Sequence, residues 1–167
     1  MSLHLILTRH AKSDWGDPTQ DDFDRPLNPR GRKSAAAIGL WLAGRGHVPQ
    51  QAIVSGARRT VDTWSLVSEA FGERPEMRSD PVLYHAGSET YLKVLQSQSA
   101  PVVMLVGHNP GIAEFAERFA KDTPDHPRFR DYPTCATTVF AFNGPDWTTA
   151  TWGSAQIADF VVPRELL

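Results

Sequence analysis

The run Pro101-Val102-Val103-Met104-Leu105-Val106-Gly107 carries no polar side chain and is rich in valine. Such a strand reads as one covered on both faces, the position of an interior strand in a parallel sheet with helices on either side. It stops abruptly at His108-Asn109-Pro110-Gly111. Two other strand-like segments stop in the same way. The alternating stretch Leu3 to Thr8 breaks at Arg9-His10-Ala11-Lys12-Ser13, and Ala52-Ile53-Val54 breaks into Ser55-Gly56-Ala57-Arg58-Arg59-Thr60. Ligands of open α/β sheets bind outside the carboxyl ends of the strands. These three breaks are therefore the places to look for a site.

The segments between the strands read as helices. Asn28-Pro29 supplies an N-cap and a first-turn proline for a helix from Pro29 to about Ala43, with Ala36, Ile38, Leu40, Trp41 and Leu42 expected on its buried face. A second helix is expected from Arg58 to Phe71, using Val61, Trp64, Leu66, Val67 and Phe71 in the core. A third, capped by Ser88, spans Glu89 to Gln96, and a fourth carries Ile112, Phe115, Ala116 and Phe119. Val82 to His85 reads as a short extended piece, and Thr137 to Phe142, Thr149 to Trp152 and Gln156 to Val162 as further strands. Asp14 to Asp24 and Pro124 to Pro133 read as polar loops. Alternation of strand and helix predicts an α/β fold, a sandwich with a mostly parallel central sheet.

At 167 residues the chain is expected to form one domain over residues 1–167, large enough to bury a full core. Its formal net charge of −2 offers no bulk attraction to nucleic acid or to a membrane surface, so any positive site must be local. Cys135 is the single cysteine, which excludes an intrachain disulfide. No signal-like or spanning stretch is present, and a cytoplasmic location is expected. The prolines and glycines are scattered, in keeping with short connections.

If the three strand ends lie side by side, Arg9, His10, Arg59 and His108 converge in one crevice. Two arginines and two histidines in one place repel unless an anion sits among them, and guanidinium groups match phosphate oxygens in bidentate geometry. One histidine of such a group can attack phosphorus as neutral imidazole, provided its other nitrogen is held by a hydrogen bond. The arginines and a second, protonated histidine would then neutralise the equatorial oxygens. No histidine pair has zinc-like spacing, and the arginines oppose a cation, so neither a metal nor a cofactor is expected. Lys12 and Arg58 read as rim charges, and Cys135 as a small buried hydrophobe. The five tryptophans read as core, with Trp15 a candidate for the pocket mouth.

These segments resemble the signature blocks of the histidine phosphatase, or phosphoglycerate mutase-like, superfamily. Leu7-Thr8-Arg9-His10-Ala11 resembles its Arg-His-Gly strand end, with Ala11 in place of glycine; this is tolerable where φ is negative. Ser55 to Thr63 resembles the second block, in which a serine precedes the phosphate-binding arginine by four positions and a threonine follows it by four, which selects Arg59 over Arg58. Val106-Gly107-His108-Asn109 resembles the third block. The short chain, Arg25-Pro26-Leu27-Asn28-Pro29-Arg30-Gly31 and Gly107-His108-Asn109-Pro110 are most similar to the SixA-type phosphohistidine phosphatases, which lack a large inserted cap.

The resemblance implies a three-layer α/β/α sandwich and a metal-independent phosphatase that forms a phosphohistidine on His10. Arg9, Arg59 and His108 would bind the phosphoryl group, and Ser13 stands where relatives often place a hydroxyl against it. His85 falls near the position of the usual glutamate acid, and Asn109 replaces the aspartate that acid phosphatases use. His85, Glu89 or no donor at all are the alternatives for the acid; the last suits a phosphohistidine, whose imidazole leaves easily. The expected partner is a phosphorylated protein or a small phosphorylated metabolite. A small-molecule phosphomonoesterase is the alternative enzyme, and a phosphoprotein-binding module without turnover the alternative of another class.

Overall fold

The computed structural model describes residues 2–73 and 75–167. Six strands form one sheet: β1 (Ser2–Arg9), β2 (Gln51–Val54), β3 (Glu76–Ser79), β4 (Val102–Gly107), β5 (Thr137–Asn143) and β6 (Gln156–Val161). Their order is β3-β2-β4-β1-β5-β6. The first four run parallel, while β5 runs antiparallel to both β1 and β6. The helices are α1 (Pro29–Gly44), α2 (Arg58–Ser68), α3 (Ser88–Gln96) and α4 (Gly111–Phe119).

Alternation along the central strands divides the core into two layers. Leu5, Leu7, Ile53, Val103, Leu105 and Phe140 pack with residues of α3 and α4, including Tyr91, Leu95, Ile112, Phe115 and Phe119. Ile6, Ala52, Val54, Met104, Val106 and Val139 face the other way, onto Ala35, Ile38 and Leu42 of α1 and Trp64 and Val67 of α2. Both faces of β1 and β4 are therefore dry, and every residue from Leu5 to Leu7 and from Val103 to Val106 is fully buried. This is the expected three-layer α/β/α sandwich.

Helix α1 starts as anticipated: the Asn28 side chain accepts a hydrogen bond from the Gly31 N–H at 2.7 Å, with Pro29 at the first turn. Its buried face is Gly31, Ser34, Ala35, Ile38, Gly39 and Leu42, a 3-1-3-1-3 spacing. Leu40, expected inside, is exposed, because it lies about 200° around the helix from Ile38. A Cβ on Gly39 would stand 2.4 Å from the Val67 carbonyl oxygen, so the glycine lets α1 and α2 approach closely.

Several local expectations are corrected. Val82 to His85 is not extended: Asp80 caps a 3₁₀ turn at Pro81–Leu83 by accepting from the Val82 N–H, and Tyr84 continues in the helical region. Thr149 to Trp152 is no strand either, since Asp146 holds Trp147–Thr149 in a 3₁₀ turn. Ser88 is the first residue of α3 rather than its cap, and its hydroxyl accepts from Arg118 instead. Helix α2 ends at Ser68, short of Phe71, whose ring is nevertheless buried. Edge strand β3 was not anticipated; all four of its residues are exposed, so it has no apolar pattern.

Among the described residues no helix is long and apolar enough to cross a membrane.

Candidate active site

The carboxyl ends of β1, β2 and β4 lie side by side and bring Arg9, His10, Ser13, Arg59 and His108 to one cavity of about 360 Å³. Lys12, Trp15, Arg25, Asn109 and Thr134 complete its lining, which includes no carboxylate. The His10 and His108 ring centroids are 5.3 Å apart.

The backbone at His10 is fixed from three sides. Its N–H donates to the Gly107 carbonyl at 3.0 Å, and its carbonyl accepts from the Cys135 N–H at 2.9 Å. The next N–H, of Ala11, donates to Thr63 Oγ1 at 2.9 Å, and that hydroxyl donates to the Arg59 carbonyl at 2.7 Å. Thr63 thus ties the first and second strand ends together, a physical reason for a threonine four residues after Arg59. Among the described non-glycine residues positive φ occurs at Tyr132 and Cys135, so Ala11 carries no backbone strain.

His10 Nδ1 lies 2.7 Å from the Ala11 carbonyl oxygen, an acceptor, so Nδ1 carries the proton and Nε2 keeps its lone pair. Burial disfavours the charged ring and brings its pKa down to about 3, with His108, Arg9 and Arg59 adding repulsion. His10 is consequently a neutral, oriented imidazole at neutral pH.

His108 is held in the opposite tautomer. Arg59 Nη2 donates toward its Nδ1 at 3.4 Å, and Nε2–H donates to Ser55 Oγ at 2.8 Å. Burial first, and Arg59 second, lower its pKa to about 4. The protonated second histidine expected from the sequence is therefore neutral in the free site; a phosphoryl dianion would reverse the charge balance and favour its protonation. Beneath it, Tyr91 Oη accepts from the His108 N–H at 2.9 Å. This hydroxyl occupies the space that a side chain on Gly107 would take, since a Cβ there would lie 2.1 Å from it.

Arg59 donates to the Asp22 carbonyl and carboxylate, and Arg9 Nη1 donates to the Tyr132 carbonyl at 3.2 Å. The Nε groups of Arg9 and Arg59 are buried without any acceptor.

Ser13 is in the cavity and its hydroxyl accepts from Arg25. His85 is not: it is exposed, packs on Tyr84 with ring centroids 4.0 Å apart and planes tilted by 40°, and lines an adjoining recess with Tyr84, His108, Asn109 and Glu114. Glu89 is also exposed and lies 3.8 Å from Arg118. Trp15 lies at the mouth, with the Arg25 guanidinium 3.4 Å over its ring. Cys135 is buried and its thiol is pushed up to about 12 by desolvation. Among the described residues no group of three or more His, Cys, Asp or Glu is placed to hold a metal ion.

Sequence reasoning did not single out Arg25, Asp22 or Tyr84. Arg25 is 6% exposed and donates to Asp22 as well as Ser13. Tyr84 donates to Asp22 at 2.6 Å and meets the His108 ring edge-on at 5.5 Å. The available signal was Arg25 at the head of the Arg25 to Gly31 segment, with an acid, Asp22, three residues earlier in the stretch read as a polar loop.

Residues 5–84 match the model of the histidine phosphatase superfamily, branch 1. An uncharacterised protein of Mycobacterium leprae is 30% identical over 167 residues, covering 93% of this chain and 99% of that protein. An uncharacterised chloroplastic protein of Arabidopsis thaliana is 32% identical over 127 residues; the match covers 70% of this chain but 58% of that longer protein. Among solved structures, the SixA-type protein of Agrobacterium tumefaciens is 29% identical with a TM-score of 0.79, covering 96% of this chain and 98% of that one. A tungstate complex of SixA, at 18% identity and a TM-score of 0.80, covers 99% and 100% and shares the fold.

Proposed function

Since the chain belongs to branch 1 of the histidine phosphatase superfamily and is a phosphatase, we propose that it acts through a covalent phosphohistidine on His10 and that its substrate is a protein phosphohistidine. The observation that carries this reading is the state of His10: neutral, with Nδ1–H held by Ala11 and the Nε2 lone pair free, in a cavity lined by cations and no carboxylate.

Nε2 of His10 attacks phosphorus in line, the P–N bond to the substrate imidazole breaks, and that imidazole leaves with a proton from solvent. Water then attacks phospho-His10, which releases inorganic phosphate and restores the neutral ring. Arg9 and Arg59, whose guanidinium groups line the cavity, receive the equatorial oxygens. His108 gains a proton when the dianion arrives and adds a third donor. Ser13 and Arg25 hold the rim.

The carboxylate nearest the cavity, Asp22, is ion-paired to Arg25 and Arg59 and held ionised, so it is no proton donor; this favours P–N over P–O cleavage, since an alkoxide leaving group needs a general acid more than an imidazole does. The SixA-type resemblance supports the same substrate class. No step calls for a metal, and the arginines disfavour one.

Phosphate release by wild type and His10→Ala, from a phosphohistidine protein and an aryl phosphate side by side, tests the reading. Strong turnover of the first substrate that disappears in the variant is expected. Turnover of the ester alone would move the assignment to a small-molecule phosphomonoesterase, and activity surviving in His10→Ala would refute the nucleophile.

A further inference from the structure

A second cavity, of about 320 Å³, adjoins the first and shares Lys12 and Thr134 with it. Its other lining residues are Arg30, Ser34, Arg128, Pro133, Val162, Pro163 and Arg164. Four of the nine are cations and none is an acid. They come from separate parts of the chain: Lys12 from the β1 exit, Arg30 from the first turn of α1, Arg128 from the loop before β5, and Arg164 from the carboxyl-terminal 3₁₀ turn.

Among the described residues one carboxylate offsets one of these four cations, and the other three stay unpaired. Asp131 pairs with Arg128 at 3.0 Å. Glu165, beside Arg164, accepts from the Val162 N–H and faces His126. Lys12, Arg30 and Arg164 have no ion pair among the described residues. A chain with net charge −2 thus concentrates unpaired cations in one concave place. Clefts lined by one sign of charge focus the field on a ligand of the other sign.

We propose that this cavity is a subsite for a second anionic group of the substrate, a carboxylate or further phosphate carried near the phosphoryl group that His10 attacks. The inference rests on the phosphatase reading above and narrows its substrate class to polyanions. In a protein substrate the second anion is an Asp or Glu flanking the phosphohistidine; in a small molecule it is a second phosphate or a carboxylate. Lys12, shared by both cavities, spans the two groups.

The double variant Arg30→Ser/Arg164→Ser tests this, as both residues are exposed and neither lines the catalytic cavity. The first measurement is calorimetric binding of inorganic phosphate and tripolyphosphate. Wild type should bind tripolyphosphate about tenfold more tightly than phosphate, the size of one charge-assisted hydrogen bond, and the variant should lose that advantage while its phosphate affinity changes less than twofold. No preference in wild type, or equal weakening of both ions, would overturn the subsite. Binding needs no turnover, so failure of the phosphatase reading would show separately, as absent phosphate release. The second measurement compares KM for phosphohistidine peptides with acidic and neutral flanks, and for sugar bisphosphates and monophosphates. A variant-sensitive advantage in one series identifies the source of the anion; an advantage in neither overturns the proposal.

Discussion

Arg59 donates to Asp22 twice, to the backbone carbonyl at 2.7 Å and to the carboxylate at 3.1 Å, so a guanidinium at the second strand end is held by a residue of the loop after the first. The same carboxylate accepts from Arg25 and Tyr84, which lower its pKa well below the ordinary range, the tyrosine foremost. Asp22 is a positioning residue on this geometry. Asp22→Ala is expected to lower kcat/KM about tenfold or more through misplacement of Arg59 and Arg25, with Asp22→Asn retaining only part of the activity, because its one amide oxygen replaces an Oδ1 that accepts from Arg25 and an Oδ2 that accepts from Arg59 and Tyr84. Steady-state kinetics on both variants decide this. Higher activity in Asp22→Ala would mean instead that the carboxylate competes with the phosphoryl group for Arg59.

Thr63 offers a cleaner structural test. Thr63→Val keeps the shape but leaves the buried Ala11 N–H without an acceptor, a cost of about 1–3 kcal/mol. Thr63→Ser should lose far less, because the hydroxyl remains. Urea unfolding of the two variants measures the difference, and a loss in Thr63→Val no larger than in Thr63→Ser would refute a special role for the hydroxyl.

Gly107 and Tyr91 should be coupled. Gly107→Ala places a methyl against the Tyr91 hydroxyl and is expected to destabilise by about 1–3 kcal/mol while displacing the group that accepts from the His108 N–H. Tyr91→Phe removes the nearest clashing atom and relieves the contact in part, since the ring carbons Cζ and Cε1 remain at 2.8 and 2.9 Å. The double variant should therefore be less destabilised than the sum of the singles, and additivity in a double-mutant cycle would refute the contact.

The depressed histidine pKa values set a pH dependence. His10 and His108 have folded values of about 3 and 4, below their ordinary 6.5, so below pH 6.5 the unfolded chain binds more protons than the folded one. Stability is fully present above about pH 6.5 and is lost as pH falls toward the folded values, by about 2 kcal/mol per histidine between pH 7 and pH 5. Replacing His10 by Gln should flatten the curve by its share, read from thermal unfolding at the two pH values. A bound phosphate analogue should also flatten it, because the anion stabilises the protonated form of His108.

How far local sequence reaches is visible in particular elements. Strands β1, β2 and β4 were legible because each is an apolar run, and α4 because Ile112, Phe115, Ala116 and Phe119 follow the helical period. Strand β3 was not, since an exposed edge strand carries no burial pattern and is defined by its pairing with β2. Leu40 was misplaced for a related reason: an exposed leucine looks like a core leucine until the packing direction of the helix is known.

At the site the division is similar. Arg9, His10 and His108 were identifiable because they stand at or directly after a strand end, and Arg59 because it stands in the first turn of the helix that follows one; a parallel sheet carries such residues to one edge. The sequence by itself determined the strand ends, the helices between them and the groups those ends deliver, because hydrophobic periodicity and helix signals are local. Only the tertiary structure decided that Asp22 secures Arg59, that His10 and His108 are neutral in opposite tautomers, and that Arg30, Arg128 and Arg164 meet Lys12 beside the cavity. Hydrogen-bond partners and desolvation depend on what the folded chain places within a few ångströms, and residues far apart in sequence come that close only through packing.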